Sequence, residues 1–365
     1  AEEAGELRDL AVSGEIGAAR PLADSIAEHA ASARSLTSDP VWRVIEFLPW
    51  LGPNLTAVRE VAEISDSVAA DAVSPLLDAA TTLDLGALGF SGSTLDLEPF
   101  AEVEQPLAAA SATLSAADTR ARSIDADATL PPLADAVREM REVVTEAATA
   151  VGTLHGAAVL LPSMLGSEEP RTYIVAMQNN AELRSSGGIV GALALMRADG
   201  GTISVVRQAS TRDFPPLEEP LPLSESTVAL FEDRPGRFIQ NATSIPDFPE
   251  AAAMIAERWE QRFDEKVDGV VAVDTLVAKH LLSATGPVSF GGLTVDDENV
   301  VEVLLSQISS EFRDPAAQDE VFARAATALF GAALRAEDPQ AMLGALASAS
   351  DENRVRIWSA HEEEQ

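Results

Sequence analysis

Apolar positions along "LPPLADAVREMREVVTEAATAVGTLHGAAVLL" recur at alternating spacings of three and four. Leu133, Val137, Met140, Val144, Ala147, Val151, Leu154 and Ala158 form one stripe, and Pro131 and Pro132 stand where a helix would begin. The pattern predicts a long helix with that stripe buried. A weaker stripe through Val58, Val61, Ile64 and Val68 predicts a second helix, with Asn54 as its cap. "LDLGALGFSGSTLDLEPF" breaks the helical period, and its glycines and serines predict an ordered loop or short extended pieces. "WRVIEFLPWLGPN" places Trp42, Phe47 and Trp50 between two prolines. Two readings fit it: a corner between helices packed by its aromatics, or an apolar surface turned toward lipid.

The period changes after Pro170. "TYIVAMQ" is a short run of strand formers. A Gly-Gly bend, a strand, an Asp-Gly-Gly turn and a second strand follow, predicting a hairpin. "PDFPEAAAMIAERWEQRF" reads as a helix with Pro249 near its first position. "VDGVVAVD" reads as a buried strand, and "TLVAKHLLSATG" as a helix stopped by Gly286 and Pro287. Strands alternating with helices predict an α/β fold with a central sheet in three layers, preceded by a helical bundle. The expected division is residues 1–165, helical, and 166–365, α/β.

Composition narrows the chemistry. The chain has 365 residues and a formal net charge of −34, which argues against non-specific binding to nucleic acid or anionic surfaces. Cysteine is absent, so neither a disulfide framework nor a thiolate metal site is possible. Only Lys266 and Lys279 are lysine; nearly every cation is arginine, a bias that a GC-rich genome or salt adaptation would also give. No stretch reads as a run of roughly 20 apolar residues of the kind that spans a membrane. The sequence opens "AEEAGELRDL", without an initiator Met or signal-peptide pattern. The expectation is that a membrane anchor lies upstream.

Against that acidity, Arg184, Arg197, Arg207 and Arg212 attend one hairpin. Arginine presents a planar fork that bonds two phosphate oxygens at once. Gly187 and Gly188 lack side chains, so a ligand could approach their backbone. Exposed charges are screened beyond about 8 Å at physiological salt, so a local arginine cluster can govern a site in an acidic protein. The pattern points to a phosphate ligand. His29, His155, His280 and His361 are scattered without metal-ligand spacing.

Several stretches resemble the domain of unknown function 4012 family of high-GC Gram-positive bacteria. They are "DPVWRVIEFLPWLGPNL", "YIVAMQNNAELRSSGGIVG", "IQNATSIPDFPEAA", "VDGVVAVDTLVAKHLLSATGPV" and "RVRIWSA". The order of strands, Arg-Asp pair, Asn-Ala loop and helices more distantly resembles LytR-CpsA-Psr proteins. Those move glycopolymers from a polyprenyl pyrophosphate carrier to cell-wall glycan, with magnesium. That likeness implies an extracellular, membrane-anchored phosphotransferase. Arg184, Arg207, Arg212, Gly187, Gly188 and Asn241 would then hold pyrophosphate, Arg212 and Asp213 would be catalytic, and Asp213 would bind Mg2+. The implied partners are a polyprenyl-pyrophosphate-linked glycopolymer, a wall-glycan acceptor and the membrane, with no nucleic acid. Ser186 stands where that family has a metal-associated Asp, and Thr211 where it has Pro. A non-catalytic binder of lipid-linked or wall polysaccharide, or a structural partner in an envelope assembly, therefore stands beside the transferase.

Overall fold

The computed structural model describes residues 5–7, 10, 16–83, 93–336 and 338–364. The chain divides into two compact units: residues 1–87 with 97–162, and residues 88–96 with 163–365. The first part of the Gly/Ser-rich break, 84–92, lies outside the described residues.

The first unit is a bundle of α1 (Ile16–Thr37), the short α2 (Pro40–Ile45), α3 (Gly52–Val68), α4 (Glu98–Ser123) and α5 (Pro131–Met164). Helix continues beyond α3 to Leu83 through a π-turn at Ala69–Val73. Pro75 lacks the N–H that would bond back to residue 71, and the wider turn just before it absorbs the mismatch. Small residues line the seams: Ala57, Ala117, Ala121 and Ala134 pack with Ile64, Val137 and Val144. The predicted α5 stripe is buried at Val137, Val144, Val151 and Ala158, but Leu154 is exposed. Helix α5 is also long and apolar enough by length and composition to cross a membrane, contrary to the sequence expectation. Core helices of soluble bundles pass the same test when mostly buried, whereas 17% of the apolar window is buried here. Asn54 does not cap α3, which starts two residues earlier at Gly52 with Pro53 beside it. The Asn54 carboxamide instead accepts the Leu130 N–H at 2.8 Å, joining two corners of the bundle.

The second unit is the α/β domain. Its sheet runs β3-β2-β1-β4-β7, from β1 (Arg171–Arg184), β2 (Gly187–Asp199), β3 (Thr202–Ser210), β4 (Gly269–Asp274) and β7 (Val355–Ser359). Only β1 and β4 are parallel neighbours; the other pairs are antiparallel. Residues 93–95 add to the start of β3 through a Thr94–Thr202 bridge.

Between α5 and β7 the chain also forms α6 (Glu225–Phe231), α7 (Phe248–Phe263) and α8 (Thr275–Thr285). A small pair, β5 (Val288–Phe290) and β6 (Leu293–Val295), precedes α9 (Val300–Glu302), α10 (Pro315–Leu334) and α11 (Pro339–Asp351). One face of the sheet packs Ile174, Ala176, Leu193 and Leu195 against Trp259 and Ile255 of α7. On the other side α8 and α10 share a core with Phe290, Val300 and Ile308. Helix, sheet and helix make the three layers that the alternating periodicity predicts.

Candidate functional site

At the carboxyl end of the parallel pair β1 and β4 the chain leaves regular pairing. In β1 the register jumps between Asn179 and Leu183, so residues 180–182 bulge out of the sheet. Such bulges re-aim side chains at functional rims, and in α/β sheets the ends of parallel strands are where ligands bind. Asn180 Nδ2 donates to Asp274 Oδ2 at 2.6 Å, and Thr275 Oγ1 donates to Asn180 Oδ1 at 3.0 Å. Asp274 ends β4 and caps α8, accepting the Leu276 N–H at 2.9 Å and the Val277 N–H at 3.3 Å. Its second oxygen also accepts Arg354 Nη1 at 3.2 Å. Asn180, Asp274 and Arg354 were not anticipated as rim residues. The readable signal was a carboxylate ending an apolar run directly before a helix.

Arg184 stands at the tip of the β1–β2 hairpin, opposite Gly187. It donates to the Leu183 carbonyl at 2.9 Å, and Glu182, 3.9 Å away, is the carboxylate within reach of it among the described residues. Ser186, 1% exposed, is structural: its N–H bonds the Thr243 carbonyl at 3.0 Å and its hydroxyl donates to the Ile245 carbonyl. Thr243 Oγ1 in turn donates to the Gly188 carbonyl at 2.9 Å. These bonds dock the 239–244 helical turn, with half-buried Asn241, against the hairpin tip. Arg184, Gly187, Gly188 and Asn241 are thus brought to one end of the sheet.

The fold itself requires both glycines. A Cβ on Gly187, whose φ is +117°, would lie 2.3 Å from Gln178 Oε1, and one on Gly188 would lie 2.3 Å from the Asn179 carbonyl oxygen. On the side where a side chain would stand, β1 fills the space at both glycines. Gln178 is 7% exposed and its Nε2 has no hydrogen-bond partner, which leaves a buried donor beneath this tip.

Arg207 and Arg212 each meet a carboxylate of another element. Gly187 and Ala192 are five residues apart on β2, and Ala192 is the partner of Ser210. Ser210 therefore lies roughly 16 Å down the sheet from the hairpin tip, and the chain turns at Thr211–Asp213 just beyond it. Arg212 Nη1 bonds Asp319 of α10 at 2.6 Å. Arg207 bonds Glu265 through Nε and Nη2, the closer contact at 2.8 Å, and stacks 4.8 Å over the Phe263 ring. Hydrogen bonding to Glu265 raises the Arg207 pKa, and the reciprocal bond lowers that of Glu265. Arg207 faces the α7 side, while Gln208, the next residue, bonds Ala323 and Thr327 of α10 on the other. The two arginines therefore meet their carboxylates on opposite faces.

Asp213 closes a capping box: its Oδ2 accepts the Ser210 N–H at 2.8 Å, and Ser210 Oγ accepts the Arg212 N–H at 3.3 Å. The Asp213 carbonyl accepts Arg262 Nε at 2.7 Å. Among the described residues no group of three or more His, Asp or Glu side chains is placed to hold a metal ion. Ser186, in the position of the resembled family's metal-associated Asp, is committed to the Ile245 carbonyl.

Residues 168–308 match the family described as "Protein of unknown function (DUF4012)", as the sequence resemblance implied. No curated protein matches the chain. Among solved structures, the transcriptional regulator yvhJ from Bacillus subtilis is similar at 12% identity over 53% of this chain and 72% of that one, with a TM-score of 0.32. A likeness of that size decides neither fold nor function.

Proposed function

With residues 168–308 a DUF4012 domain, we propose that the second unit is a non-catalytic binding module of the extracellular cell envelope. Its ligand is a phosphate-bearing, lipid-linked glycan held at the hairpin tip. The observation that carries this is a separation. Arg184 and the Asn241 turn converge at the carboxyl end of β1, where among the described residues the carboxylate that Arg184 meets is Glu182, at 3.9 Å. The other expected residues have partners of their own: Arg207 meets Glu265, Arg212 meets Asp319, and Asp213 Oδ2 accepts the Ser210 N–H. Leu183, 80% exposed beside Arg184, offers apolar contact next to the cation. A guanidinium flanked by an exposed leucine suits an amphiphile whose anionic group joins a hydrocarbon chain.

The test is equilibrium binding of geranylgeranyl diphosphate to the whole chain by calorimetry, with and without Mg2+. Arg184→Ala weakens binding at least tenfold, while Arg207→Ala and Arg212→Ala change it less than twofold. Magnesium is not required. Equal losses for all three variants, or Mg2+-dependent transfer of a glycan from a lipid-linked donor, would return the assignment to a phosphotransferase.

A further inference from the structure

One end of the helical bundle carries an apolar surface that stays exposed among the described residues. Here α2 and the turn after it hold Val41, Val44, Phe47, Leu48 and Trp50 outward, with Phe47 88% and Trp50 77% exposed. Leu130, also exposed, joins them from the α4–α5 corner through the Asn54 bond. The packed-corner reading of these aromatics therefore fails for Phe47 and Trp50. Only Trp42 is half-buried, its Nε1 donating to the Leu55 carbonyl at 3.1 Å.

The corner is built, not slack. Asp39 accepts the Val41 N–H at 2.7 Å, and Arg59 Nε grips Glu46 at 2.8 Å. The Gly52 N–H bonds the Leu48 carbonyl at 2.7 Å. A Cβ on Gly52 would fall 2.0 Å from the Glu46 carbonyl oxygen, so glycine is required for this close approach. A rigid frame that holds Phe and Trp in water exposes apolar area that contact with a partner would remove.

Charge selects the partner. The chain carries −34 overall, yet residues 40–59 contain Arg43, Arg59 and a single acid, Glu46. Glu46 is neutralised by Arg59, and Asp127, near Leu130, is paired with Arg138 at 3.0 Å. Asp39 and Asp125 stay at the border, each capping its own turn. Arg43 is exposed and has no carboxylate partner among the described residues. A projecting Trp and Phe beside an unpaired cation match the headgroup–acyl boundary of a bilayer.

We propose that this corner docks on a lipid bilayer: Phe47, Leu48 and Trp50 enter the interface, and Arg43 contacts headgroup phosphate. The inference is independent of the Arg184 site, since it rests on the first unit alone. The test is flotation of the whole chain with vesicles of phosphatidylcholine and phosphatidylglycerol at 3:1, with tryptophan emission followed in parallel. Wild type floats and its emission shifts to the blue. Phe47→Ser combined with Trp50→Ser weakens binding at least tenfold with an unchanged melting curve, because both side chains are exposed. Arg43→Glu weakens binding severalfold. The proposal is overturned if wild type stays unbound, or if the double variant floats equally well. It is also overturned if sedimentation shows self-association that the double variant abolishes, which would make the corner a protein interface.

Discussion

Arg212 and Arg207 illustrate why a sequence locates cations better than it locates free cations. Both stand in the arginine-rich hairpin, but the carboxylates that occupy them, Asp319 and Glu265, lie 107 and 58 positions downstream. Nothing local announces those pairs. Arg184 differs because the nearby acid, Glu182, is two residues away on the same bulge and 3.9 Å distant. Asp213 follows the same logic: its capping role was written in Ser210 three residues before, a signal that the phosphate reading of the arginines concealed. Loss of that cap has a measurable cost. Asp213→Ala is expected to lower stability by about 0.5–2 kcal/mol in urea unfolding, while leaving diphosphate affinity within twofold.

Element boundaries were legible where punctuation was strong. Pro249, Gly286 with Pro287, and the Asp-Gly-Gly turn mark α7, α8 and the β2–β3 hairpin as the sequence predicts. The β1 bulge was not legible, because it depends on pairing between strands. Its consequences can be separated by two similar substitutions. Gly188→Ala drives a methyl into the Asn179 backbone and is expected to cost about 1–3 kcal/mol or more. Gly191→Ala, three residues along, meets nothing within 4 Å. It should be neutral or stabilising by up to about 1 kcal/mol. Thermal unfolding of the pair checks both, and equal effects would mean that the tip is not packed as described.

At the scale of the whole molecule, the acid limit of stability is expected at the edge of the sheet opposite the hairpin tip. Asp268 is buried, which favours its neutral form. Hydrogen bonds from Lys266, the Thr172 N–H and His361 outweigh burial and hold its pKa down at about 2. A carboxylate depressed on folding contributes stability that is complete above its unfolded pKa near 4 and is lost as pH falls toward 2. The contribution is about 2 kcal/mol. Asp268→Asn should therefore flatten the decline in melting temperature between pH 4 and 2 while lowering stability at pH 7.

The bundle followed by an α/β domain was readable from the change of period near Pro170. The exposed corner at Phe47 and Trp50 was not, because the same aromatics would have served a packed corner. The central claim, that one hairpin tip holds an anionic amphiphile, is tested most directly by a crystal structure of the whole chain with geranylgeranyl diphosphate. The diphosphate is predicted within hydrogen-bond distance of Arg184, beside the Asn241 turn, with the hydrocarbon chain along Leu183. A diphosphate seated instead at Arg212 or at Arg207, with the bond to Asp319 or Glu265 broken and Arg184 uncontacted, would contradict the account.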